Sequence, residues 1–269
     1  CAAQSSRISP TLSTAIATTN SSWFARASMV RWMGLGEKRP FDQVEFERDV
    51  LRVTLLYKKS GYMSVVVDTL VKRTPKDISI TFLITEGLPV RLDSLTILGL
   101  DSVAKPGAVT QDLPLRPGDP FNRILLDATS DTLVRRLRDR GYPDAIAFQS
   151  FERDKSELAA SAAIELQTGP LSGVSGIGIS GTKRISPDVV RSLLATRPGQ
   201  QFSQEELYRS QRNLYRSELF SFAAVSIDSA AYDPASDSVP LTVRVTESKP
   251  RRARGSVGYA TEDCLRLGA

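Results

Sequence analysis

Phe41, Phe121 and Phe202 stand 80 and 81 residues apart, and each opens a stretch marked by the same landmarks. Gly61-Tyr62 returns as Gly141-Tyr142 and, degenerately, as Leu219-Phe220. Gly87 returns as Gly169, and Gly99, which closes Thr-Ile-Leu-Gly, returns as Gly181, which closes Gly-Ile-Ser-Gly. A period of this length restricts the chain to a tandem array of small modules, each about one supersecondary unit in size. With 269 residues there is room for about three. Modules so small bury modest cores and lean on their neighbours for stability.

The pattern inside each period predicts its elements. Asp42 followed by Glu45 has capping-box spacing, which satisfies the free N–H groups of a helix start. Phe46, Val50, Val53 and Tyr57 then keep an i, i+4, i+7, i+11 stripe, and Gly61 supplies the left-handed residue that ends a helix. Asn122 caps a second such helix carrying Leu126, Ser130, Leu133 and Leu137 and closed by Gly141. Ser203 with Glu206 caps a third carrying Leu207, Gln211 and Leu214. After each helix the period falls to two, which predicts a hairpin: Val65, Val67, Thr69 and Val71 with Ile78, Ile80, Phe82 and Ile84. Its counterparts are Ile146, Phe148 and Ser150 with Ala160, Ala162, Ile164 and Leu166, and Val225 and Ile227 with Val239, Leu241, Val243 and Val245.

A strand, Leu92 to Leu98 or Val174 to Ser180, and a short helix precede each of the last two long helices; Ser186 caps the clearer short helix and Pro187 fills its first turn. Between the two helices lies Arg116-Pro117-Gly118-Asp119-Pro120-Phe121, echoed as Arg197-Pro198-Gly199-Gln200-Gln201-Phe202. Pro stops a helix and Gly permits a positive φ, so the chain turns there and brings each Phe to the residue before a helix cap. Each full module reads strand, helix, helix, strand, strand, an α+β unit. Residues 1–36 are a leader or the degenerate start of the first module, 37–89 its remainder, 90–169 and 170–248 two complete modules, and 249–269 a linker and the start of a further element.

Composition and charge narrow the function. There is no histidine, which removes the commonest general base and the commonest zinc ligand, and no Asp/Glu or Ser/Lys constellation recurs. Neither catalysis nor a metal or cofactor site is expected. Gly176-Ile-Gly178-Ile-Ser-Gly181 fits the dinucleotide fingerprint, but its last glycine aligns with Gly99, which places the motif inside a strand instead of a phosphate loop. The net charge of +5 is scattered; Arg135, Arg136, Arg138 and Arg140 with Asp131 and Asp139 form a solvated helix face, so no nucleic-acid partner is expected. Arg251, Arg252 and Arg254 follow the last module, either beside lipid headgroups or in solvent. Cys1 and Cys264 are too isolated to suggest a structural disulfide. Cys1-Ala-Ala-Gln-Ser-Ser looks like the mature start of a bacterial lipoprotein, which marks Cys1 as a lipidation candidate; an incomplete start reads equally well.

The order of elements, the strand ending Leu98-Gly99 or Ser180-Gly181, the Arg-Pro-Gly-x-x-Phe link, the Gly-Tyr after the long helix and the closing Thr85-Glu86-Gly87 together resemble the POTRA repeat. This is the polypeptide-transport-associated module of outer-membrane assembly factors of the BamA and TamA type, the bacterial surface antigen family. The likeness covers about residues 41–248. It implies tandem three-stranded mixed sheets, each on two helices, in a periplasmic region. Gly255 to Asp263 looks like the first strand of the membrane β-barrel that follows the last repeat in that family, and this chain is too short to hold such a barrel. The implied partners are unfolded outer-membrane precursors, accessory assembly proteins and, through the barrel, the outer membrane. An edge strand left by a three-stranded sheet accepts extended peptide, which makes Ile146, Phe148, Ser150, Val225 and Ile227 the candidate binding residues. A docking or spacer arm, and the substrate-recognition region of a two-partner secretion transporter, remain alternatives.

Overall fold

The computed structural model describes residues 42–74, 78–154 and 158–249, together with the backbone of 256–258 and 266–268. Cys1, Phe41, Cys264 and Arg251 to Arg254, with the readings attached to them, lie outside the described residues. The chain forms two compact units. One takes in the described chain up to Leu133 together with Ala147–Leu166; the other takes in Val134–Ile146 together with the described chain from Gln167 onward.

In the first unit, Asp42 caps helix α1 (Gln43–Lys59), its carboxylate accepting from the N–H groups of Val44 and Glu45. Glu45 turns its own carboxylate to Arg48 and Arg52 instead of reaching back to the cap, so only half of the expected capping box forms. Val50 is half-buried and Asp49 takes the buried place in that turn, but Phe46, Val53 and Tyr57 are buried along one face, as the stripe predicts. They meet the antiparallel hairpin of β1 (Val66–Arg73) and β2 (Ile78–Thr85): Val53, Tyr57 and Val65 form a cluster joined by Tyr62, Val67 and Ile84, and the Phe46 and Phe82 rings lie 5.9 Å apart. α1 ends in a Schellman turn. The N–H of Tyr62 donates to the Tyr57 carbonyl at 3.0 Å and that of Gly61 to Lys58 at 3.2 Å, with Gly61 at φ 96°.

Next come β3 (Arg91–Leu98), the one-turn α2 (Gly107–Thr110), α3 (Arg123–Arg138), β4 (Ile146–Asp154) and β5 (Ala159–Gln167). Asn122 caps α3, accepting from the N–H groups of Ile124 and Leu125. The sheet order is β3-β5-β4, with β3 parallel to β5. Alternation in β5 drives Ala160, Ala162, Ile164 and Leu166 inward, where each is buried.

The second unit repeats this plan with β6 (Gly173–Ser180), α4 (Pro187–Leu193), α5 (Gln204–Arg216), β7 (Phe220–Ile227) and β8 (Ser238–Glu247), in the order β6-β8-β7. Val174, Val190, Phe202, Leu207, Leu214, Ala223, Val225 and the inward residues of β8 form one core. Phe202 and Leu207, the residue before the cap and the fourth of the helix, share it, which is the expected hydrophobic staple. Ser203 and Ser186 cap α5 and α4 as expected. In this unit two details differ from the sequence reading. Ser210 takes the buried place assigned to Gln211, because its hydroxyl accepts from the N–H of Ala195 in the link. The counterpart of Gly61 is Glu218, not Leu219: Glu218 stands one residue past the C-cap Ser217 at φ 57°.

All eight landmark glycines, 61, 87, 99, 118, 141, 169, 181 and 199, have positive φ. The Gly176-to-Gly181 motif runs mostly inside β6, so it forms no strand-to-helix phosphate loop. Beyond β8, β9 (Ser256–Gly258) pairs antiparallel with β10 (Arg266–Gly268). Among the described residues no helix is long and apolar enough to cross a membrane.

Candidate peptide-binding edges and inter-repeat joints

In both complete sheets the last strand is central, which leaves the first and second strands as edges. The first-strand edges are partly occupied by the Pro-Gly links. Gly118 donates to the Leu92 carbonyl at 2.7 Å and Leu92 to Asp119 at 2.9 Å; Gly199 donates to Val174 at 2.7 Å and Val174 to Gln200 at 2.8 Å. Register breaks between Leu92 and Ser94, and between Val174 and Gly176, further bend these strands. In these two three-stranded sheets the longer open edges are therefore β4 and β7.

On β7, Val225 lies opposite Val243 and Ile227 opposite Leu241, the Val225 side chain in the core and that of half-buried Ile227 packed against it. The N–H of Asp228 donates to the Pro240 carbonyl at 2.9 Å, which fixes the ladder alternation: Ser226 and Ala224 bond toward β8, while the main-chain groups of Val225 and Ile227 point to the free edge. Phe222, at 49% exposure, stands on the outer face of the same strand.

β4 presents the opposite arrangement. Ile146, Phe148 and Ser150 are exposed, while Ala145 is buried and Ala147, Gln149 and Phe151 face the helix side. Gln149 donates to Asp127 and accepts from Ser130 of α3; Phe151 lies 5.1 Å from Phe121 and under the Arg123 guanidinium. The five candidate residues thus do not form one like set. Small Ala145 and Ala147 and polar Gln149 occupy the inward positions of β4, so its bulky residues mark the outer face. Since inward residues on equivalent strands direct their N–H to the same side, the free edge of β4 belongs to Ala147 and Gln149, with Phe148 beside it.

The glycine landmarks position the repeats. The carbonyl of Gly61 accepts from the N–H of Val90 at 2.9 Å, and the Val90 carbonyl accepts from Phe121 at 2.8 Å. The second joint repeats this: Gly141 accepts from Ser172 at 2.7 Å, and Ser172 from Phe202 at 2.9 Å. The same glycine that ends a long helix receives the first residue of the next module, and a Cβ on Gly61 would stand 2.8 Å from the Phe121 carbonyl oxygen. Phe121 and Phe202 are buried at these joints, Tyr62 packs edge-on to Tyr57 at 5.9 Å, and Tyr142 is buried after α3. Burial, with Glu86 nearby, pushes the Tyr57 and Tyr62 hydroxyls up.

Sequence reasoning missed Glu247, the last residue of β8. Its Oε1 accepts from the N–H groups of Lys183, Arg184 and Ile185 at 2.6, 2.7 and 2.9 Å, and its Oε2 pairs with Arg184 Nε at 3.1 Å. The Ile185 N–H above all, then those of Lys183 and Arg184, hold its carboxyl down at about 2. The available signal was its place after Thr246, matching Thr85-Glu86 of the first module. Among the described residues no group of His, Cys, Asp and Glu is arranged to hold a metal ion.

These features define a tandem α+β repeat protein with main-chain joints and open second-strand edges. The chain belongs to the POTRA family, whose model, described as surface antigen variable number repeat, matches residues 20–87, 90–160 and 173–248. It is 24% identical over 245 residues to the outer membrane protein assembly factor BamA of Neisseria meningitidis serogroup B, an alignment covering 88% of this chain and 30% of that protein. The chain thus spans less than a third of this relative's length. Its fold is similar to that of Haemophilus influenzae BamA POTRA3-5, with a TM-score of 0.55 at 18% identity over 89% of this chain and 91% of that one. It is also similar to Haemophilus ducreyi BamA lacking POTRA domains 1-3, with a TM-score of 0.52 at 18% identity over 62% and 30%.

Proposed function

We propose that this chain is the periplasmic POTRA region of an outer-membrane protein assembly factor, and that its β4 and β7 edges receive extended segments of unfolded outer-membrane precursors. In this reading residues 249–269 lead into a membrane barrel, and accessory assembly proteins are further partners. The observation that carries the reading is the unpaired second-strand edge in both complete sheets, flanked by exposed Phe148 or Phe222. Main-chain hydrogen bonds to such an edge are indifferent to sequence, and an aromatic on the adjoining face favours an apolar side chain at every second position. A strand of a membrane barrel has that alternation. The work of the protein is binding, with no catalytic step.

Ala147→Pro tests this. It removes an edge donor without removing a β4–β5 ladder bond, and proline is tolerated at such positions. Anisotropy of a labelled amphipathic strand peptide should show about tenfold weaker binding, with an unchanged circular dichroism spectrum. Unchanged affinity would remove β4 from the proposal. A folded partner captured on the array, with no peptide bound, would favour the docking-arm reading.

A further inference from the structure

The two joints share their main-chain bonds but differ in what surrounds them. At the second joint three side-chain contacts are added. The carboxylate of Asp139, past the end of α3, accepts from the N–H of Glu205 in the first turn of α5 at 2.8 Å. The side-chain amide of Gln201 donates to the Arg140 carbonyl at 2.6 Å. The hydroxyl of Tyr232, in the β7–β8 turn, donates to the carboxylate of Asp144. At the corresponding places of the first joint stand Lys59, Pro120 and Ser64. Lys59 has no acceptor to offer a helix start, and Pro120 has no amide to donate.

The helix caps explain why an acceptor is wanted at one joint and not the other. Asn122 accepts from both Ile124 and Leu125, so the second and third N–H groups of α3 are served by their own cap. The Ser203 hydroxyl accepts from Glu206, and the N–H of Glu205 is served by Asp139, 66 residues earlier. A helix start left with an unserved N–H is destabilised, so α5 draws part of its cap from the preceding repeat.

We propose that Asp139 and Asp144 are positioning residues that clasp the third repeat onto the turn ending the long helix of the second, so that this joint opens as one cooperative element. The first joint has no carboxylate at these places; its main-chain bonds are joined by Arg153 of β4 donating to the Met63 sulfur at 3.0 Å, and it opens separately. Burial and the Asp144 contact push the Tyr232 hydroxyl up, as expected for a donor held in place. The clasp keeps the third repeat, with its β7 edge, in fixed register to the turn before β4.

The test is amide hydrogen exchange in the full chain, read at Ser172, whose N–H is bonded to Gly141 and not to either carboxylate. Asp139→Ala and Tyr232→Phe should each speed exchange at Ser172 about fivefold and leave Val90 at the first joint unchanged. Asp139→Asn keeps an acceptor and should restore the wild-type rate. Unchanged exchange at Ser172 in both variants, equal acceleration at Val90, or an Asn variant as fast as the Ala variant would overturn the clasp. If Asp139→Ala fails to fold, Tyr232→Phe decides alone. Peptide affinity for the β4 edge is a separate readout, so this result stands whether or not the edge binds precursors.

Discussion

Gly99 and Gly181 show how a single residue fixes the module. Each follows the first strand, and a Cβ on either would lie 1.9 Å from a carbonyl oxygen of the central strand, that of Leu166 or Val245. Both also sit in the left-handed region, at φ 84° and 92°. An added methyl therefore meets two penalties, a backbone strain of about 1–2 kcal/mol and a clash that forces the two strands apart. Gly118 separates them, because it has φ 90° but no atom stands within 4 Å of the place a Cβ would take. Gly118→Ala should lower stability by about 1 kcal/mol in chemical denaturation, and Gly99→Ala or Gly181→Ala by about 3 kcal/mol or more. Equal losses at all three sites would show that strain alone governs them. These glycines were visible in the sequence as spacing. The role of Glu218 was not, since a charged residue at φ 57° carries none of the signals of a helix stop.

At the scale of elements, caps and alternation were legible wherever local chemistry decides. Asp42, Asn122, Ser186 and Ser203 each cap the helix they were expected to cap, and both faces of β5 and β8 follow their alternation. On β4 the alternation alone does not mark the core face, because alanine and glutamine lie on the helix side and phenylalanine on the outer side, which inverts the usual signal. Contacts spanning 60 residues or more, such as Glu247 with the loop before α4, leave no local trace. That carboxylate has a definite pH signature. Its pKa lies below the ordinary 4.5, at about 2, so its contribution is complete above pH 4.5 and is lost as pH falls toward 2. Wild-type protein should resist denaturant better than Glu247→Gln at pH 7, and the two midpoints should converge near pH 2. Curves that stay parallel across that range would show that the ionised carboxylate does not hold the loop.

For the whole molecule, the repeat length was the most legible property, and the family match at three successive stretches agrees with a tandem array. What the period alone did not carry is which surfaces are open. That depends on sheet order, and only the central place of β5 and β8 shows that second strands are edges while links shield the first. The central claim, that these edges take up extended precursor segments, is tested most directly by titrating an isotope-labelled chain with an amphipathic barrel-strand peptide and following backbone amides by NMR. Saturable shifts should concentrate at Ala147 and Gln149 on β4 and at Val225 and Ile227 on β7, with new protection of those amides from exchange. Shifts confined to the helices or the Pro-Gly links, or no saturation, would contradict it.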